Sequence, residues 1–238
     1  MSAKSSFYSV ISSYDRESSY ATELRRIYSN LKSSNENENQ CILVTSAMVG
    51  EGKSITSSYL AITAANLSQM KVALVDFDLR RPRIHEYFNV GSRPGITDII
   101  RGELKVKAAA RDTAIPNLKV ISSGFSPKGP GELIDQADLQ VIVQELKFYF
   151  DFVVIDSPPI IPVSDPLLIG DHVDGVLMVV KAGSTQREVV KRAVNLLRNA
   201  SIKIYGVVLN DYNEVLPYYY KERYYGYHYS SEKAHTAT

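Results

Sequence analysis

The apolar run Cys41-Ile-Leu-Val-Thr45 and the loop Met48-Val-Gly-Glu-Gly-Lys-Ser54 that follows it decide the fold. A strand-like segment passes into a glycine-containing turn, and a helix-like stretch begins at once. Gly50 and Gly52 can adopt backbone angles that aim several N–H groups at one anion, and the following helix adds the positive end of its dipole. In such a loop Lys53 reaches the β- and γ-phosphates of a nucleotide, and the Ser54 hydroxyl is a ligand for Mg²⁺. Val49, Gly50, Glu51, Gly52, Lys53, Ser54 and Ile55 are therefore the expected nucleotide-binding residues. The general pattern places glycine six residues before the lysine; Ala47 stands there, and it is small enough for the turn.

Working outward, strand-like and helix-like segments alternate. Apolar strand candidates lie at 41–45, 72–76, 118–121, 152–156, 175–180 and 204–209, with helical patterns near 53–68, 131–149 and 187–199. Nearly continuous apolar strands separated by helices imply an α/β fold, a mostly parallel sheet covered by helices on both faces. Ligands of such sheets bind at the C-terminal strand ends. Residues 20–32 place Leu24, Ile27, Tyr28 and Leu31 at helical spacing, which predicts an amphipathic N-terminal helix. Residues 1–19 read as a loose Ser-rich arm, and Ser33 to Asn39 as a polar hinge. The expected organisation is an N-terminal arm and helix (1–39), a phosphate-loop domain (40–212) and a tyrosine-rich tail (213–238). Between Pro217 and Tyr229 the tail holds seven tyrosines in thirteen residues with no period of 2 or 3.6, unlike a core element.

Bulk properties exclude several classes. With 238 residues, 45% hydrophobic content and a net charge of +1, the chain suits one sizeable globular domain, and bulk charge offers nothing to a nucleic acid. The single cysteine, Cys41, falls in the first strand and cannot form an internal disulfide, which fits a reducing cytoplasm. No apolar run approaches the length that spans a bilayer, and no signal peptide opens the chain.

Two further strands end in carboxylates. In Val72-Ala-Leu-Val-Asp-Phe-Asp-Leu-Arg-Arg-Pro82, Asp76 and Asp78 lie two residues apart and share one side of an extended chain. Such close like charges repel unless a cation lies between them, so a Mg²⁺ site is the economical reading. In Phe152-Val-Val-Ile-Asp-Ser-Pro-Pro159, an apolar run ends on Asp156, the way phosphate-loop enzymes present the acid that holds Mg²⁺ or its water shell. Ser54, the pair Asp76 and Asp78, and Asp156 are thus the candidate surroundings of the metal. Of the basic group at 80–83, Arg80 is favoured for function, while Arg81 and Arg83 read as solvated. Arg187, Lys191 and Arg192 read as an exposed helix face, and His85 as a surface or helix residue.

From about Tyr20 onward the chain resembles the bacterial tyrosine kinases of capsular and exopolysaccharide export, the autonomous cytoplasmic type. The matching segments are Gly50-Glu-Gly-Lys-Ser54, Asp76-Phe-Asp78-Leu-Arg80, Ile155-Asp-Ser-Pro-Pro159, Pro130-Gly-Glu-Leu133, Val173-Asp-Gly-Val176 and the tyrosine cluster. The resemblance implies catalysis by Lys53, Asp76, Asp78, Arg80 and Asp156, with Ser54, Asp78 and Asp156 serving the metal directly or through water, Asp76 accepting or orienting the tyrosine proton and Asn210 contacting adenine. It implies that Mg-ATP phosphorylates Tyr218, Tyr219, Tyr220, Tyr224, Tyr225, Tyr227 and Tyr229 on neighbouring subunits, with Tyr212 a lesser candidate. It also implies a separate transmembrane activator at the inner face of the membrane, a cognate phosphatase, and control of polysaccharide polymerisation and export. The family's Glu-x-x-Arg-x-x-Arg helix, which packs subunits into a ring, is degenerate here: Thr22, Arg25 and Tyr28 occupy its places.

Two other classes share parts of this pattern. Partitioning and septum-positioning ATPases share the fold and place a signature lysine five residues before the loop lysine, where this chain has Met48. A non-catalytic nucleotide-sensing regulator could use the tyrosine tail to bind partners.

Overall fold

A computed structural model of the chain describes residues 10–34, 39–67, 69–125 and 129–211. The tyrosine cluster and all seven expected acceptors lie outside these residues. In chain order the elements are α1 (Val10–Ser13), α2 (Ser19–Ser33), β1 (Gln40–Ser46), α3 (Lys53–Leu67), β2 (Val72–Asp76), α4 (Ile84–Phe88), α5 (Ile96–Ile100), α6 (Val106–Ala109), β3 (Arg111–Asp112), β4 (Leu118–Ile121), α7 (Pro130–Asp135), α8 (Leu139–Tyr149), β5 (Phe152–Asp156), α9 (Asp165–Gly170), β6 (Gly175–Lys181), α10 (Arg187–Asn199) and β7 (Ile204–Asn210).

The strands form one sheet in the order β3-β4-β2-β5-β1-β6-β7, and every pairing is parallel except β3 with β4. Because successive side chains of a strand point to opposite faces, each central strand feeds two cores at once. Cys41 and Leu43 of β1 enter the core roofed by α8, α9 and α10, while Ile42 and Val44 enter the one roofed by α2, α3 and α4. Burial on both faces explains why β1, β2 and β5 read as unbroken apolar runs, since all their residues are buried.

All six expected strands are present, each within one residue of its expected bounds. The expected helix over 131–149 is instead two, α7 and α8. Asp138 breaks it: its carboxylate accepts from the Val141 N–H at 3.1 Å and so starts a new helix. Residues 10–19 are also less independent than a loose arm. Tyr14 packs on Tyr59 of α3 with ring centroids 5.3 Å apart, and its hydroxyl meets Thr63 Oγ1 at 2.7 Å.

The N-terminal helix is α2, capped by Ser18, whose hydroxyl accepts from the Ala21 N–H at 3.1 Å. Its apolar stripe of Leu24, Tyr28 and Leu31 lies in the same core as α3. Tyr28, at the third position of the degenerate ring motif, meets Phe152 of β5 edge-on, with centroids 5.3 Å apart. It therefore serves the interior of its own subunit. Arg25 turns back to the Arg16 carbonyl at 3.0 Å and to Thr22 Oγ1 at 3.0 Å.

Replacing Leu24 by Ala should lower unfolding stability by about 2–4 kcal/mol through the cavity left in this core. Tyr28→Phe should cost under about 1 kcal/mol, because the ring supplies the packing. Urea denaturation of the two variants checks both values; a negligible effect of Leu24→Ala would show that α2 is not part of the folding unit.

Candidate active site

The phosphate loop takes its shape from two glycines and one buried acid. Gly50 and Gly52 have φ of +84° and +89°, the left-handed region that side chains rarely adopt. A Cβ on Gly52 would also collide with the side-chain amide of Asn210. Glu51, only 3% exposed, points inward. Its carboxylate accepts from the Met48 N–H at 2.6 Å, from the Lys181 N–H at 3.4 Å and from the Thr185 hydroxyl. Its carbonyl accepts from Asn210 Nδ2 at 3.0 Å. The loop is thus fastened from behind to the ends of β6 and β7. Glu51 can meet an anion only through its backbone, and the Asn210 amide group is committed to the loop.

Beneath the loop, the C-terminal ends of β2, β5 and β1 lie side by side: Asp76 is in register with Asp156, and Asp156 with Val44. Lys53 Nζ lies 2.8 Å from Asp78 Oδ2 and 3.3 Å from Ser54 Oγ. Burial pulls the Lys53 ammonium towards neutrality, but Asp156 and Asp78 outweigh it and its pKa is raised. Asp156 is fully buried, which pushes its carboxyl up to about 6, against the pull of Lys53 and the hydroxyls of Ser54 and Ser57. Ser57, one turn into α3, donates to Asp156 Oδ1 at 3.1 Å, and Oδ2 has no hydrogen-bond partner. A buried carboxylate oxygen without a donor, next to a serine hydroxyl, suits a bound cation. Among the described residues no three His, Cys, Asp or Glu side chains converge as a self-sufficient cage.

Asp76 lies one layer deeper than Asp78. Fully buried, it accepts from the N–H groups of Asp78 at 3.2 Å, Arg83 at 3.1 Å and Ile84 at 3.1 Å, and so ties down the turn after β2. Burial, then Asp156, raise its pKa well above the usual carboxylate value. Asp78 rather than Asp76 lines the adjoining cleft, which has a volume of about 430 Å³.

One wall of that cleft is the loop with Lys53, Ser54 and Ile55, and another is Pro158, Pro159 and Pro162. Arg80, Arg81, Arg83 and Tyr87 form the rest. Arg80 makes a two-pronged ion pair with Asp165, both contacts at 3.1 Å. The arginine is held by a buried acid at the start of α9.

Every expected loop residue and carboxylate is gathered at these strand ends, and Arg187, Lys191 and Arg192 are exposed as expected. His85 lies on α4 with a buried, unpaired Nδ1. Arg81 and Arg83 are exposed, in keeping with their reading as solvated, and they also line the cleft. The residues that sequence reasoning missed are Ser57, Tyr87, Asp165 and Thr185. Only Ser57, four residues after Lys53 on one helix face, carried a readable signal.

Residues 37–235 match the ParA family, described as NUBPL iron-transfer P-loop NTPase. The chain is 35% identical over 228 residues to the putative tyrosine-protein kinase CapB of Staphylococcus aureus, covering 93% of this chain and 100% of that one. The chain belongs to the bacterial tyrosine-protein kinases. Tyrosine-protein kinase ptk of Acinetobacter johnsonii is 33% identical over 173 residues, 73% of this chain, and this kinase spans only 24% of that longer protein. The kinase domain of Escherichia coli tyrosine kinase ETK superposes with a TM-score of 0.78 at 28% identity, covering 86% of this chain and 79% of that one. The septum site-determining protein MinD of Pyrococcus horikoshii shares the fold, with a TM-score of 0.63 at 21% identity.

The raised carboxyls define a pH test. Asp156 binds its proton more tightly when folded than the ordinary value of 3.8, so its contribution favours folding below about pH 4 and is lost as pH rises through about 6. Asp156→Asn removes that loss. Its stability relative to the parent should rise between pH 4 and pH 7 by roughly 2–3 kcal/mol in nucleotide-free denaturation experiments. A pH-independent difference would contradict the buried-charge reading. Gly52→Ala, strained in φ and blocked by Asn210, should weaken nucleotide affinity at least about tenfold by isothermal titration calorimetry.

Proposed function

We propose that the cleft binds Mg-ATP and that this kinase transfers the γ-phosphoryl group to the tail tyrosines Tyr218, Tyr219, Tyr220, Tyr224, Tyr225, Tyr227 and Tyr229, on a neighbouring subunit of a homo-oligomer. The observation that carries the reading is the convergence of Lys53, Asp78 and Asp156 beneath a two-glycine loop, in a tyrosine-kinase chain that carries its own tyrosine cluster. Lys53 and the loop N–H groups hold the phosphates, and Ser54, Asp78 and Asp156 hold Mg²⁺, directly or through water. Bound there, Mg²⁺ would supply neutralisation of the phosphate charge that develops during transfer.

A tyrosine phenol has a pKa near 10 and is a weak nucleophile at neutral pH. Phosphoryl transfer has a loose transition state, so alignment and charge neutralisation matter more than full deprotonation. The phenol oxygen attacks the γ-phosphorus, the bond to the β-phosphate oxygen breaks, and the phenolic proton passes to a carboxylate. We assign that carboxylate to Asp76, which burial makes more basic than an ordinary aspartate. This role requires the turn after β2 to admit the phenol, since Asp76 is otherwise engaged by backbone N–H groups. Arg80, steadied by Asp165, supplies positive charge across from the loop. Covalent tethering delivers the tyrosines at an effective concentration on the order of millimolar.

Among the described residues no helix is long and apolar enough to cross a membrane. We infer that a separate transmembrane activator recruits the kinase to the inner membrane face, that a phosphatase resets the tail, and that the cycle controls capsule or exopolysaccharide polymerisation and export. The ATPase-switch alternative lacks its signature lysine, because Met48 stands in that place.

Incubation with Mg-ATP and the cytoplasmic segment of the activator should yield phosphotyrosine on immunoblots. Lys53→Met should abolish it, and truncation after Pro217 should remove the signal while nucleotide still binds. Asp76→Asn should keep ATP affinity within about threefold and slow transfer at least about a hundredfold. Transfer at the parental rate would remove Asp76 from the proton's path.

A further inference from the structure

The cleft holds more cationic side chains than the nucleotide reading uses. Lys53 is paired with Asp78, and Arg80 with the buried Asp165. Arg81 has no partner for its guanidinium among the described residues; its backbone N–H alone is bonded, to Asp78. Arg83 touches Glu86 at 3.1 Å, but the two side chains are 59% and 36% exposed, so that pair is weak and easily exchanged. The half-buried ring of Tyr87 lines the same cleft, as do Pro158 and Pro159. The lining thus combines basic side chains with aromatic and apolar surface. A ligand suited to both carries an aromatic ring and a dianion.

The tail supplies such a group. Tyr218, Tyr219 and Tyr220 are contiguous, as are Tyr224 and Tyr225, so once one tyrosine is modified its neighbour carries a phosphate one residue away. Resting on the tyrosine-kinase reading of the cleft, we propose that Arg81 and Arg83, with Tyr87, form a subsite for a phosphotyrosine adjacent to the acceptor. Phosphate on one residue binds the arginines and places the next phenol at the γ-phosphate. Modification then spreads within a run of tyrosines in preference to starting on a fresh one. The two guanidinium groups bind a phosphate dianion through charge-assisted hydrogen bonds, which a neutral phenol cannot provide.

The test uses the full chain, dephosphorylated, and two labelled synthetic peptides of residues 217–229, one unmodified and one carrying phosphate on Tyr219. Fluorescence anisotropy should show the phosphopeptide binding about tenfold more tightly. With Arg81→Ala and Arg83→Ala combined, the two peptides should bind within about twofold of each other. The double Lys variant should recover part of the preference, which a purely structural role would not predict. Equal binding by the parent, or a preference that survives the double Ala variant, would overturn the subsite. A double Ala variant that loses Mg-ATP affinity but keeps the peptide preference would also overturn it, assigning the arginines to the nucleotide. Phosphate transfer to the peptides is followed separately: its absence would sink the kinase reading, whereas transfer without the binding preference would sink only this inference.

Discussion

Burying carboxylates together is the constraint on which the rest of this molecule depends. Asp76 and Asp156 are fully buried at the ends of adjacent parallel strands, and Asp78 is nearly so. Each would resist ionisation in such surroundings without donors or counter-charge. Asp76 is relieved by three backbone N–H groups of one turn. Asp78 is relieved by Lys53, and Asp156 by serine hydroxyls and the same lysine. One ammonium thus answers to more than one acid, and Asp156 keeps an oxygen with no donor. A divalent cation and a polyphosphate would complete this charge arrangement from outside, which is what the proposed nucleotide binding supplies.

The phosphate loop has the opposite requirement: it must be rigid while exposing its N–H groups. Its middle residue solves this by turning inward. Glu51 gathers donors from the loop itself, from the end of β6 and from Thr185, and Asn210 grips its carbonyl. These contacts fix the loop through protein groups alone, which is how preformed anion sites avoid reorganisation costs. β7 also ends at this point, so the chain enters the tyrosine-rich segment from the edge of the nucleotide loop. Lys181 pairs with Asp211 there at 3.0 Å, steadying the last described residue.

Legibility in the sequence followed the type of force involved. The six main strands were readable because burial on both faces leaves unbroken apolar runs, and the loop because only glycine suits its backbone angles. The two-residue β3 and the short helices were not, since their stability comes from tertiary contacts and their patterns are too short to show a period. The division of 131–149 was missed because Asp138 acts through one side-chain hydrogen bond that periodicity does not register. At the site, carboxylates at strand ends announced themselves, whereas Asp165 and Thr185 did not. Their partners, Arg80 and Glu51, lie far away in sequence and meet them only through the fold. The tyrosine cluster is read from composition alone and lies outside the described residues.

The central claim is that the γ-phosphoryl group passes from ATP to tyrosine and not to water. The direct measurement is the fate of γ-labelled ATP: the ratio of label in protein phosphotyrosine to label in free phosphate, followed through the first turnovers with the activator segment present. This account predicts that phosphotyrosine accumulates first and dominates until the tail is filled. Label appearing only as free phosphate, at a steady rate and with none on tyrosine, would contradict it and return the chain to the ATPase-switch class.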